Sequence, residues 1–160
     1  MAVSAGKVNT DKVNPMGGLR RENCSQSMEL VPIGVIHSPY RVRGDAPHQG
    51  RLSPTTSEIE IFPEFVDGLK DIVERPHLIV LYWLDRADRG TLTAIPPHSK
   101  KEHGVFATRS PARPNPIGFA VIDILGIDGN RLIVRGLDAF DGTPVIDIKP
   151  YSPEIDCVRE

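Results

Sequence analysis

Cysteine is scarce. Cys24 and Cys157 stand near opposite ends of the chain and no CxxC occurs, which argues against a thiolate metal site and against a disulfide framework. No apolar run approaches the ~20 residues of a membrane span, and the first residues lack the apolar segment of a secretory signal. No membrane partner and a cytoplasmic location are therefore expected. Charge of one sign is missing too: 19 Lys and Arg against 21 Asp and Glu leave −2, so any polyanion site must be a local patch. There is no G-x-G-x-x-G after a strand, no Walker loop and no G-x-S-x-G elbow, which disfavours a Rossmann nucleotide site and a serine hydrolase. The histidines (His37, His48, His77, His98, His103) show no metal-binding spacing, so no metal is expected.

Proline and glycine are abundant, at 15 and 14 of 160 residues, and leave little room for long helices. At 39% hydrophobic the chain can bury one core of ordinary domain size. Residues 1–28 have neither helical nor strand periodicity and carry four Lys/Arg against two Asp/Glu; they read as a flexible leader before a domain over 29–160. Within that domain Ile33–Ile36 reads as a strand and 41–54 as a loop. The alternating Glu58–Ile61 is a half-buried strand. Phe65, Leu69, Ile72 and Val73 recur at helical spacing and predict one short amphipathic helix ending before Pro76. Leu78–Leu84 has no polar face and reads as a central buried strand. Val105–Ala107 reads as a short strand. A longer one over 119–127 turns at Asp128-Gly129-Asn130 into Leu132–Val134, and Val145–Ile148 alternates after the turn Asp141–Pro144. The connections are mostly too short for parallel crossovers. The expected fold is mainly β, a small, mostly antiparallel single-sheet β-barrel with one short helix.

Chemistry concentrates in three windows. In Gly104–Gly118, Arg109 and Arg113 sit among Pro111, Pro114 and Pro116, with Asn115 beside them. Proline reduces the entropy that the loop loses on folding, so two guanidiniums there form a preorganised fork for an anion or a planar ligand. The window 98–118 carries Lys100, Lys101, Arg109 and Arg113 against Glu102, a basic patch on an acidic chain. In Leu137–Tyr151, Asp138 and Asp141 flank an aromatic at a strand end, and Lys149 and Tyr151 follow. Asp-Gly-Thr-Pro is also plain turn chemistry, and the carboxylates become informative if the ligand is cationic. The third window is the polar loop Asp45–Gly50.

The words Ile33–Tyr40, Gly104–Gly118 and Asp141–Tyr151, in this order and spacing over about residues 30–155, closely resemble the YaeB/TsaA-like (TrmO-type) family. The resemblance implies a tRNA methyltransferase that uses S-adenosylmethionine to methylate N6 of the threonylcarbamoyl-modified adenosine beside the anticodon. A threonine-accepting tRNA is the expected partner. It also implies a single-sheet β-barrel and a homodimer with cofactor near the subunit boundary. Carried over by motif, cofactor contacts fall at Pro47, His48, Gln49, Gly50, Asp85, Arg86, Arg109, Phe119 and in Leu137–Asp141. His48 stands in place of an arginine, and Asp85-Arg86 in place of a His-Gln pair. A sulfonium, a carboxylate and an adenine require an acidic oxygen, a basic group and an apolar slot, which Asp138 or Asp141, Arg109 and Phe119 could supply. The acceptor nitrogen adjoins a carbonyl, so a base is plausible: Asp141 or Tyr151. Arg113, Asn115 and Lys149 are candidates for holding the substrate. Two other classes stay open, a non-catalytic S-adenosylmethionine-binding regulatory module and a plain RNA-binding barrel.

Overall fold

Strands form where the sequence alternates or runs apolar throughout, and the computed structural model describes residues 28–158. They are β1 (Gly34–His37), β2 (Thr56–Ile61), β3 (His77–Trp83), β4 (Thr93–Ala94), β5 (His103–Gly104), β6 (Ile117–Asp128), β7 (Arg131–Arg135) and β8 (Pro144–Pro150). Every pairing is antiparallel. Six strands form one sheet in the order β1-β2-β7-β6-β3-β8, and β8 pairs back on β1 through Gly34↔Val145 and Val35↔Pro144, which closes the ring. β4 and β5 make a separate two-stranded ladder. All of the expected leader except Met28 lies outside the described residues.

A ring of six strands is narrow, and side chains fill it. Ile36, Ile59, Leu78, Val80, Ile122, Leu132, Val134 and Val145 are all 0–1% exposed inside it. Each such side chain contributes roughly 1.5–3 kcal/mol of burial free energy. β3 lies between β6 and β8, and its outward Ile79 and Trp83 are buried as well as its inward residues. That agrees with its lack of a polar face. The β6–β7 hairpin turns at Gly129, whose φ of 59° favours glycine.

Two local expectations fail. The run 65–73 forms 3-10 turns at Pro63–Leu69 and Ile72–Glu74, separated by Asp71 at φ 63°, and not an α-helix. Gly68 disfavours helix propagation, and so short a run offers too few bonds to offset nucleation. Its apolar spacing still works, because Phe65, Leu69 and Ile72 pack on the core, while Val73 is exposed. Among the described residues the one α-helix is α1 (Pro153–Asp156). Val105–Ala107 is likewise a 3-10 turn and not a strand. Arg113 causes this: its guanidinium donates to the carbonyls of Val105 (2.9 Å), Thr108 (2.5 Å) and Ser110 (2.8 Å) and gathers the backbone around itself.

The topology sorts the connections. The segments 38–55, 84–116 and 136–143 all leave strands at one end of the ring, where Trp83 pairs with Ile117 and Thr56 with Arg135. The turns 62–76 and 129–130 and the C-terminal residues lie at the other end.

Candidate functional site: one rim of the ring

The words Ile33–Tyr40 and Asp141–Tyr151, remote in sequence, are bonded to each other. Ile36 N–H donates to Thr143 O and Gly142 N–H to Ile36 O, 2.9 and 2.8 Å. Buried Ser38 donates its hydroxyl to Ala139 O at 2.7 Å. These bonds fix the turn 136–143, whose Leu137 and Ala139 are buried while Asp138 and Asp141 stand at the surface of the rim.

The two carboxylates are held differently. Asp138 accepts the Tyr82 hydroxyl proton at 2.5 Å. Burial, then the charge of Asp138 and their hydrogen bond, push the Tyr82 phenol far above its ordinary range, so it remains a donor. The other Asp138 oxygen has no protein donor among the described residues. Asp141 has both oxygens engaged, by Ser38 N–H at 3.1 Å and by Arg41 at 2.6 Å. Arg86 bridges the same corner, donating to Arg41 O (2.9 Å) and Asp141 O (3.2 Å) with its guanidinium over the Phe140 ring. Asp85 beside it is exposed.

The loop bearing Pro47, His48, Gln49 and Gly50 closes onto this turn. The Asp45 carboxylate accepts from Arg41 N–H and then Val42 N–H, which hold its pKa below the usual carboxylate range. Gly50 is buried against Gly136, with no space for a side chain. Arg51 next to it bonds Asp123 on the outer face of β6 at 2.6 Å, and Asp123 also receives His77 (2.8 Å) and Arg135 (3.0 Å). Burial raises the Asp123 pKa, but the three donors outweigh it and hold the carboxyl below its ordinary value. A cleft of about 340 Å³ lies between residues 51–54, Asp123, Arg135 and Gly136. Phe119 is on the same outer face of β6, half-exposed, whereas its neighbours Gly118 and Ala120 point inward.

The segment 84–116 projects from the rim as an arm. Its root is tied by Leu84 N–H to Pro116 O (2.9 Å), Arg113 N–H to Asp88 O (3.0 Å) and Arg89 over the Trp83 ring. His98 on the arm meets His48 of the 47–50 loop edge to face, 6.2 Å between ring centroids. Arg109 is exposed and makes no hydrogen bond or ion pair among the described residues; Asn115 is exposed beside the root. Among the described residues no three metal-ligating side chains cluster.

The rim thus brings together the 47–50 loop, Asp85, Arg86, Leu137, Asp138 and Asp141, with the arm that carries Arg109. It does not bring Tyr151 or Lys149. Tyr151 pairs with His77 at the far end of the ring, and Lys149 binds Asp147 at 2.5 Å on β8. The length of β8, roughly 3.3 Å per residue, separates Tyr151 from Asp141 within a subunit. Arg113 is engaged inside its own loop. Sequence reasoning missed Tyr82, Ser38 and Arg41; a tyrosine inside an aliphatic strand was the one available signal, since a buried phenol needs a partner.

A model of the tRNA-methyltransferase O N-terminal domain matches residues 35–157. The chain belongs to this family. It is 59% identical over 133 residues to an S-adenosyl-L-methionine-binding protein of Archaeoglobus fulgidus, covering 83% of this chain and 96% of that one. A second protein of that organism, a probable S-adenosyl-L-methionine-binding protein, is 66% identical over 131 residues, 82% of this chain but only 36% of its own length. The crystal structure of TrmO from Pseudomonas aeruginosa superposes with a TM-score of 0.69 at 34% identity, over 83% of this chain and 60% of that one. The chain therefore spans about a third to three-fifths of these two longer proteins and nearly all of the short relative.

Proposed function

We propose that the rim binds S-adenosylmethionine and that the protein methylates tRNA, at N6 of the threonylcarbamoyl-modified adenosine beside the anticodon of a threonine-accepting tRNA in the cytoplasm. The observation that carries the reading is the convergence of the 47–50 loop, Arg86, the 137–141 turn and the Arg109 arm at one end of the ring. The residues fit the group. Asp138 offers an oxygen without a protein donor to a cation, Arg109 offers an unpaired guanidinium to a carboxylate, and half-exposed Phe119 offers an apolar face. When bound, S-adenosylmethionine supplies an electrophilic methyl group. The chain's own part is alignment and exclusion of water. Tyr82 holds Asp138, Arg86 and Ser38 hold the Asp141 turn, and Gly50 seats its loop on Gly136.

Asp141 is the rim's candidate to orient or accept the acceptor proton, and Ser38 N–H and Arg41 hold its two oxygens in place. Arg113 shapes the arm, and Asn115 is placed to meet substrate near its root. Lys149, like Tyr151, reaches substrate in this reading only from a second subunit. A homodimer is supported by exposed Ile117 and Phe119, an apolar strip beside the rim.

Labelled methyl transfer tests this. With threonine tRNA carrying the threonylcarbamoyl group, label is expected on the modified RNA only, and Asp138→Asn abolishes it. No label on either RNA removes the substrate. A second reading, a non-catalytic S-adenosylmethionine-binding regulatory module, is favoured by the name of the relative that this chain nearly spans. Tight binding without transfer to any RNA would select it.

A further inference from the structure

We infer that the arm 84–116 is the surface that meets the single-stranded part of an RNA, with Phe106 as the stacking face and Lys100 and Lys101 as phosphate contacts. The inference deepens the RNA-methylating reading and rests on it. The first ground is charge. The arm carries six Arg or Lys against three Asp or Glu, on a chain whose net charge is −2. On the ring wall the charges pair: Arg131 with Glu58 and Glu60, Arg51 and Arg135 with Asp123, Lys149 with Asp147. Among the described residues no charge of the arm forms an ion pair. Arg86, Arg89 and Arg113 donate to backbone carbonyls, which orient a guanidinium without neutralising it. Of the three acids, all exposed, Asp88 accepts from Gly90 N–H and Thr91 and Glu102 from Thr93, which leaves the arm with an excess of three positive charges. A local positive field therefore faces solvent.

The second ground is shape. Phe106 is 83% exposed although its neighbour Val105 is 1% exposed. Val105 N–H is bonded to Leu92 O at 3.0 Å, and Arg113 grips the carbonyls of Val105 and Thr108. The turn is thus locked with the ring pointing out. A fixed aromatic face on the same arm as uncompensated cations is suited to take an unstacked base and its backbone. A paired duplex hides its base faces and would gain only the charge term.

The test uses the full chain, a labelled hairpin RNA with a single-stranded loop, and a fully paired duplex of equal length. Phe106→Ala is expected to weaken hairpin binding by about 5- to 150-fold and leave duplex binding unchanged. The double variant Lys100→Ala/Lys101→Ala is expected to lower the slope of log affinity against log salt by about 1.4. Both should keep wild-type S-adenosylmethionine affinity by calorimetry and wild-type mass by light scattering. Unchanged hairpin affinity in Phe106→Ala overturns the inference. So does a changed mass, which would make the ring a contact with a second copy, or lost S-adenosylmethionine affinity, which would assign it to the cofactor. If the wild type methylates RNA and the variants match it, this inference alone fails. If the wild type binds S-adenosylmethionine but neither RNA, the RNA-methylating reading fails with it.

Discussion

Replacing Gly50 with alanine probes how the 47–50 loop is seated. A Cβ built there meets Gly136 O at 2.1 Å, Gly136 C at 2.6 Å and Leu137 C at 2.7 Å. All three are backbone atoms of a turn that Ser38 and Ile36 hold in place, so no side chain can swing aside. The loop must rise by about 1 Å, which costs roughly 1–3 kcal/mol of packing free energy and slackens the Arg51–Asp123 bond. A domain of this size should then melt roughly 5–10 °C lower. A displacement of that order at a binding loop also weakens S-adenosylmethionine about tenfold to a hundredfold. Gly68→Ala is the control: nothing lies within 4 Å of its added carbon, and it stands at the far end of the ring. Its melting temperature should change by no more than a degree or two and its affinity not at all. Calorimetric titration and thermal unfolding of both variants read these numbers. A Gly50→Ala protein that melts and binds like the wild type would refute the seating argument.

Tyr82→Phe leaves Asp138 without its donor and should cost about 1–3 kcal/mol in urea unfolding. Because the folded phenol is held protonated above its unfolded value of about 10, wild-type stability is full below that pH and falls above it; the variant should lose this fall. Asp123, depressed in the folded state, stabilises above about pH 3.9 and loses that contribution as the pH falls through its folded value. Denaturation midpoints between about pH 2 and 4 should therefore depend less on pH in Asp123→Asn. Arg113→Lys replaces the separate Nε and Nη2 donors that meet the three carbonyls with one nitrogen on a longer flexible stem, which cannot occupy both positions. Limited proteolysis should cut the variant faster within 105–113, and an unchanged cleavage rate would contradict its role as a strut.

The ring was legible because its strands are bounded by Pro and Gly and either alternate or run apolar throughout. The bulge in β6 that exposes Leu125 left no such mark, since every residue from Ile122 to Ile127 but Asp123 and Gly126 is apolar. Helical spacing at 65–73 recorded which side chains reach the core and not the backbone that carries them. The grouping of site residues was less legible. Asp141 and Tyr151 look adjacent in sequence, yet β8 carries them to opposite ends of the ring. Chemistry alone groups Phe119 and Asp138, yet one points outward from β6 and the other is held by a buried phenol. Arg113 resembled a ligand-binding arginine, and only its three carbonyl partners reveal an internal brace. Such facts belong to long-range pairing, which spacing along the chain does not encode.

Amide hydrogen exchange with and without S-adenosylmethionine reports directly on which end of the ring is occupied. Slowed exchange confined to 47–52, 84–88, 107–110, 117–121 and 136–142 is the outcome that the account predicts. Protection centred on 62–76 and the 129–130 turn, or no protection anywhere despite binding in solution, would contradict it.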